Sequence, residues 1–363
     1  MPRHIRLAGF GVVLLTTVSV GMVATPAQAA AQGAVKVTHG YRVTYHARWG
    51  QENKVVVTGS GTSVTIDDRV AIIPGKGCKQ VGGDKTKVRC RTPSEARVWI
   101  QTYDRNDSVV NRSGLPTSID GGSGRDLLVG GPRRDIIDGD TGADRIYGNA
   151  GDDKLDGYLG DDRIWGGDGG DSLIGSYGDD VISGGDGGDT FTSGDGNDRE
   201  YGGPGNDLFL AGPPLVTGAA DADIYLGGSG RDAVSFGAQN RPVTADADGV
   251  QGDDGVRGEH DTIGADIEEI QGGYGNDRLY GTERADNLYG AEGDDVIIGN
   301  GGADFMVGDA GRDSLYGGAG NDRLDGYEYR TAAADRLDGG ANDDAAGDQC
   351  LAYGGDVKVA CES

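Results

Sequence analysis

From Gly121 the chain reads in units of nine residues, and no other feature narrows its accessible folds as much. GGSGRDLLV, GGPRRDIID, GDTGADRIY, GNAGDDKLD, GYLGDDRIW, GGDGGDSLI, GSYGDDVIS, GGDGGDTFT, SGDGNDREY and GGPGNDLFL follow one another without a gap to Leu210. Position six is Asp in all ten, at Asp126, Asp135, Asp144, Asp153, Asp162, Asp171, Asp180, Asp189, Asp198 and Asp207. Position eight is Leu, Ile or Phe in nine of the ten. After a stumble at Ala211–Thr217, GAADADIYL and GGSGRDAVS supply Asp223 and Asp232. The stretch from Phe236 to Gln271 leaves the frame. Six further units start at Gly272 and carry Asp277, Asp286, Asp295, Asp304, Asp313 and Asp322. RTAAADRLD and GGANDDAAG are degraded copies with Asp335 and Asp344.

A nine-residue unit of this kind has room for one buried aliphatic side chain, enough for a three-residue strand with a single inward group. Its G-x-x-G-x-D portion is a turn, in which glycine permits positive φ and lets stacked backbones approach closely. Two units make one coil of strand, turn, strand and turn, and coils stack as parallel strands roughly 4.8 Å apart. Turns on the same side then belong to units two apart, so Asp126 comes beside Asp144 and Asp135 beside Asp153. The chain has 70 Gly and 10 Pro in 363 residues, but the glycines do not recur every third residue, which excludes collagen.

Rows of carboxylate a few ångströms apart repel one another strongly unless a cation lies between them. Carboxylates together with turn carbonyls are the hard oxygen donors that calcium takes six to eight at a time. Magnesium demands a tighter octahedron and keeps its waters, and soft metals find no ligands here. The ten gapless units offer eight same-side pairs and the later six offer four, so about a dozen ions are expected.

These units resemble the hemolysin-type, or RTX, calcium-binding nonapeptide G-G-x-G-x-D-x-U-x. GGSGRDLLV, GGYGNDRLY and GGAGNDRLD match it fully. The resemblance covers residues 119–345. It implies a parallel β-roll with calcium between adjacent same-side turns, and the position-six Asp of each unit as the side-chain ligand. The spacer and the Cys-flanked tail are similar to segments of secreted actinobacterial repeat proteins. Three departures stand out: Arg133 and Arg284 replace the fourth-position Gly, and Glu200 replaces the buried aliphatic.

Arg3 and Arg6, an apolar run from Leu7 to Val23 and the small-residue pattern Thr25-Pro26-Ala27-Gln28-Ala29 read as a secretion signal cut after Ala29. Wider-family toxins lack such a signal, so toxin function does not carry over. Four cysteines in a secreted chain make two disulfides. Of three connectivities, the local one, Cys78 with Cys90 and Cys350 with Cys361, is expected. The net charge of −26 argues against nucleic-acid and anionic-membrane partners. Residues 30–112 run against it at +7, which suits either a solvated face or an anionic wall polymer.

Residues 34–101 alternate in β fashion at Val35–Thr38, Tyr41–Tyr45, Lys54–Thr58, Ser63–Ile66, Val70–Ile73 and Arg97–Ile100. They are expected to form a small β domain or irregular first coils that cap the solenoid. Tyr158, Trp165, Tyr177 and Tyr289 are expected to pack on the roll surface. No H-E-x-x-H, G-x-S-x-G, P-loop or G-x-G-x-x-G is present, and His39, His46 and His260 read as ordinary surface histidines. Asp246-x-Asp248-Gly249 has the start of an EF-hand loop but lacks its partner Asp and its twelfth-position Glu.

The expected protein is all-β and non-catalytic, a secreted calcium-binding β-roll that folds on meeting calcium outside the cell. Its expected organisation is a signal peptide at 1–29, a β-rich cap at 30–118, repeats at 119–235, a spacer at 236–271, repeats at 272–347 and a Cys-containing cap at 348–363. Two other classes fit the same repeats: a secreted hydrolase, lyase or epimerase with a repeat module, and a calcium-dependent wall or matrix adhesin.

Overall fold

The computed structural model describes residues 33–212, 222–327, 333–341 and 347–361. The signal sequence and Asp344 lie outside the described residues. Every element assigned among the described residues is a β-strand, and none is a helix long and apolar enough to cross a membrane.

The strands build three sheets of 16, 12 and 7 strands, and almost all neighbours within the repeats are parallel and two units apart. Ile137 pairs with Leu155, Leu155 with Leu173, and Leu173 with Phe191 on one face. Ile146 pairs with Ile164 and Ile164 with Ile182 on the other. The 18-residue step of the register is the two-unit coil that the repeat length implies. Position-eight residues from Leu128 to Phe209 are fully buried and belong to one continuous core. Glu200 is among them: it pairs with Ile182 and Tyr225 in unbroken register, at 0% exposure.

The strands are longer than the three residues expected. Ile136–Thr141 and Arg145–Ala150 run on through the first three positions of the next unit, pairing Gly122 with Asp140 and Asn149 with Gly167. Glycine at position one, with no Cβ, lets the backbone bend inward there without leaving the sheet.

The two repeat blocks share one sheet. Val234 pairs with Ile270 and Ile270 with Leu288, so the 16-stranded face crosses the spacer without a break. On the opposite flank the 12-stranded sheet ends at Thr262–Ile263, and a third sheet begins from the hairpin of Val243–Asp246 and Gly255–Val256. The spacer is therefore a change of sheet on one flank only.

The strands before the repeats join the same stack. Arg97–Gln101 pairs in parallel with Thr117–Ser123, and Ser108–Asn111 with Leu127–Val129. Antiparallel hairpins then close this end, including Cys78–Val81 against Asp84–Arg91. Both disulfides have the expected local pairing, Cys78 with Cys90 and Cys350 with Cys361. Tyr147 and Trp165 stack on each other outside the roll at 4.5 Å between centroids, while Tyr158 is 46% exposed.

Candidate metal centre

Each position-six Asp closes its turn by capping the turn before it. The backbone N–H of Asp126 donates to Asp144 Oδ1 at 2.7 Å, that of Asp144 to Asp162, that of Asp162 to Asp180 and that of Asp180 to Asp198. On the other flank Asp135 donates to Asp153, Asp153 to Asp171, Asp171 to Asp189 and Asp189 to Asp207. Asp198 continues to Asp223 and Asp207 to Asp232. In the second block Asp277 donates to Asp295, Asp286 to Asp304, Asp295 to Asp313 and Asp304 to Asp322. All eighteen Asp named from the sequence thus lie in two rows of stacked turns, and all are buried.

One oxygen of each carboxylate except Asp286 is used in this way, and the other decides what the turn can hold. Oδ2 of Asp126, Asp144, Asp153, Asp162, Asp171, Asp180, Asp189, Asp207, Asp232, Asp295 and Asp304 is buried without a hydrogen-bond partner. A buried carboxylate oxygen left bare is costly. Where it points, a second oxygen converges from the next coil. A Cβ built on Gly139 would stand 2.7 Å from Asp144 Oδ2 and 2.8 Å from the Gly157 carbonyl oxygen. Gly121 has the same pair in Asp126 Oδ2 and the Gly139 carbonyl, at 2.7 and 2.9 Å. The missing side chain leaves a space between two hard oxygen donors, of the kind a hard cation takes, with the position-eight Cδ1 of Ile146 or Leu128 on its inner side.

Backbone conformation at position two sorts the turns into two kinds. Asp140, Asn149, Tyr158, Ser176, Ala291, Asn300 and Asp309 all have φ between 61 and 80°, as glycines at this position also do in the left-handed region. In these turns no position-two N–H reaches the Asp. Gly131, Gly273 and Thr282 lack positive φ, and their N–H groups donate to Oδ2 of Asp135, Asp277 and Asp286. In those three turns the chain itself occupies Oδ2, although Asp286 keeps a bare Oδ1, and two of them are the units in which Arg133 and Arg284 replace glycine. Asp223 differs again, since its Oδ2 accepts from the Tyr225 and Ser193 hydroxyls.

Burial pushes the row carboxyls well above the ordinary range, to about 8 for Asp126, Asp180 and Asp304 and about 7 for Asp153, Asp162, Asp189 and Asp295. Desolvation is the main cause, and neighbouring Asp charges add to it. Outside the buried rows, exposed position-five residues form a second rung: Asp179 N–H donates to Asp161 Oδ1, and Asn197 N–H to Asp179 Oδ1.

The rows also contain residues that the nonapeptide frame does not reach. Asn53 N–H caps onto Asp107, Asp107 N–H onto Asp126, and Asp223 N–H onto Asp261. Asp232 N–H donates to Glu268 Oε2, Asp322 N–H to Asp348 Oδ1 and Asp335 N–H to Asp356 Oδ1. The signal available for most of them was acid-x-apolar alone, as in Asp107-Ser108-Val109, Asp261-Thr262-Ile263 and Glu268-Glu269-Ile270. In the spacer the carboxylates of Asp246, Asp248 and Asp253 gather within 4.8 Å of one another, although no EF-hand frame holds them. His39 and His260 are exposed, and His46 is half-buried between Gln101 and Tyr103.

The family model of the RTX calcium-binding nonapeptide repeat matches residues 120–155, 129–164, 138–173, 165–200, 174–209, 215–234, 271–306 and 298–328. This is an RTX nonapeptide-repeat protein. No curated protein matches the chain. RTX repeats bind Ca2+, and the many buried, stacked Asp with bare Oδ2 atoms are consistent with several calcium sites. Calcium held there would supply the positive charge that two facing rows of carboxylate lack.

Proposed function

We propose that this RTX protein is exported and processed after Ala29, and that it acts without catalysis. Its acidic body binds calcium outside the cell and folds as it does so. The observation that carries the reading is the repeated bare Oδ2, beside a position-one glycine throughout and, in nine of the eleven, a carbonyl from the next coil. The side-chain ligands are the position-six Asp residues whose turns have positive φ at position two. Asp135 and Asp277, both of whose carboxylate oxygens already accept hydrogen bonds, hold calcium weakly or not at all. At extracellular-type dissociation constants of roughly 10⁻⁴–10⁻³ M, about 2 mM calcium contributes on the order of 1 kcal/mol per site. The strands before Thr117 and the Cys350–Cys361 segment cap the two ends, where an open stack would expose unpaired backbone.

Small-angle scattering in chelator and in 2 mM calcium tests the coupling. The radius of gyration is expected to fall sharply when calcium is added, with the compact form rod-like. Equal radii in the two buffers would sink it. Amino-terminal sequencing of the exported chain is expected to start at Ala30.

A further inference from the structure

The unit SGDGNDREY departs from the repeat twice, at Ser193 in place of the position-one glycine and at Glu200 in place of the buried aliphatic. Both residues are buried, Ser193 at 3% exposure and Glu200 at 0%. Ser193 lies in the strand Thr190–Asp195 and Glu200 in the strand Arg199–Gly205. Glu200 points into the roll, stacked between Ile182 and Tyr225, and both of its carboxylate oxygens are buried without a hydrogen-bond partner. The Asp223 charge acts on it more strongly than any other, and the Ser193 hydroxyl lies beside it. Asp223 turns its Oδ2 toward the same place, where it meets the Tyr225 hydroxyl at 3.1 Å and the Ser193 hydroxyl at 3.3 Å. Four oxygen-bearing side chains therefore converge inside an otherwise apolar column.

We infer that Glu200, Asp223, Ser193 and Tyr225 form an interior divalent-cation site, which shares with the turn rows only Asp223, whose Oδ1 caps Asp198. The donors are two carboxylates and two hydroxyls, all oxygen, so the ion is a hard one, and calcium is the ion already drawn to this protein. The two departures explain each other. Ser193 puts a side chain into the space that glycine leaves open elsewhere, and its hydroxyl faces inward toward the carboxylate that replaced the aliphatic. A carboxylate at the centre of a core with no cation beside it is among the costlier arrangements a protein can hold. An ion enclosed by the stack would also leave only when the coil opens, and is expected to leave more slowly than ions in the turns, which lie nearer the surface.

This inference rests on the calcium-binding reading of the repeats. Native mass spectrometry of the calcium-loaded chain tests it by counting ions before and after a brief chelator quench. The wild-type chain is expected to keep one ion through the quench. Glu200→Gln, nearly isosteric, is expected to hold one ion fewer in total and to keep none. Tyr225→Phe is expected to release the retained ion faster by several fold. The inference is overturned if Glu200→Gln matches the wild type in both counts while Glu200→Leu raises the unfolding midpoint, because Glu200 then carries only a proton. A wild-type chain that binds no calcium at all overturns the turn sites as well.

Discussion

At the scale of single residues, one torsion separates a turn that keeps a bare Oδ2 from one that does not. Asp153 and Asp135 sit in the same row and carry the same residue type, yet Gly131 N–H occupies Asp135 Oδ2 while Asp153 Oδ2 is bare beside Asn149 at φ 77°. Asp153→Asn is expected to remove about one calcium per chain, and Asp135→Asn to leave the count unchanged, as read by isothermal titration. Gly139→Ala is expected to cost one ion too, because its methyl would fill the cradle between Asp144 Oδ2 and the Gly157 carbonyl. The sequence marked eighteen row Asp by position, missed Asp107, Asp261, Asp348 and Asp356, and could not distinguish the two kinds of turn. Tyr158 and Ala291 hold a left-handed φ that glycine normally provides, and only the stacked neighbours impose it.

The same residues set a pH dependence. Row carboxyls at about 7 to 8 in the folded chain stand far above the value near 4 that they have unfolded. A raised folded-state value makes the proton itself stabilising: that contribution is complete below about pH 4 and is lost as pH rises through 7 to 8. In chelator, β-sheet content by circular dichroism is therefore expected to rise as pH falls from 8 to 5. In calcium the trend reverses in the titration midpoint, since protons compete for the same oxygens, and more calcium is expected to be needed at pH 5 than at pH 7.5. An apo chain indifferent to pH over that interval would contradict this electrostatic account.

At the scale of elements, each strand inside the repeats is anchored by a single apolar side chain. Ile164 has Ile146 and Ile182 as its neighbours in register and is completely buried. Ile164→Ala is expected to cost about 2–4 kcal/mol in calcium-saturated urea unfolding, within the usual range for such truncations. Most strands were legible because position eight is apolar at a fixed spacing. Those missed have no such regularity: Asp84–Arg91 buries only Val88 and Cys90 among charged residues, and Ser108–Asn111 lies before the first glycine turn. The extra strand length through positions one to three was hidden because glycine and Asp argue for a turn locally. Stacking two coils makes those residues pair as well.

At the scale of the whole molecule, one sheet spans both repeat blocks while the other flank changes sheets at the spacer. The sequence left open whether the blocks are continuous, because 236–271 carries no nonapeptide frame. Val234, Ile270 and Leu288 answer it through register rather than repeat, with Asp261 and Glu268 prolonging the rows into the spacer. A stack whose core is one residue wide, and whose turns hold rows of buried acid, has little to hold it together at neutral pH without cations. The most direct measurement is a calcium titration followed by far-ultraviolet circular dichroism, with magnesium as the control. A cooperative gain of β-sheet signal at about 0.1–1 mM calcium, absent with magnesium, is the result expected. An unchanged spectrum with both ions would contradict it and leave the Asp rows without a role as metal ligands.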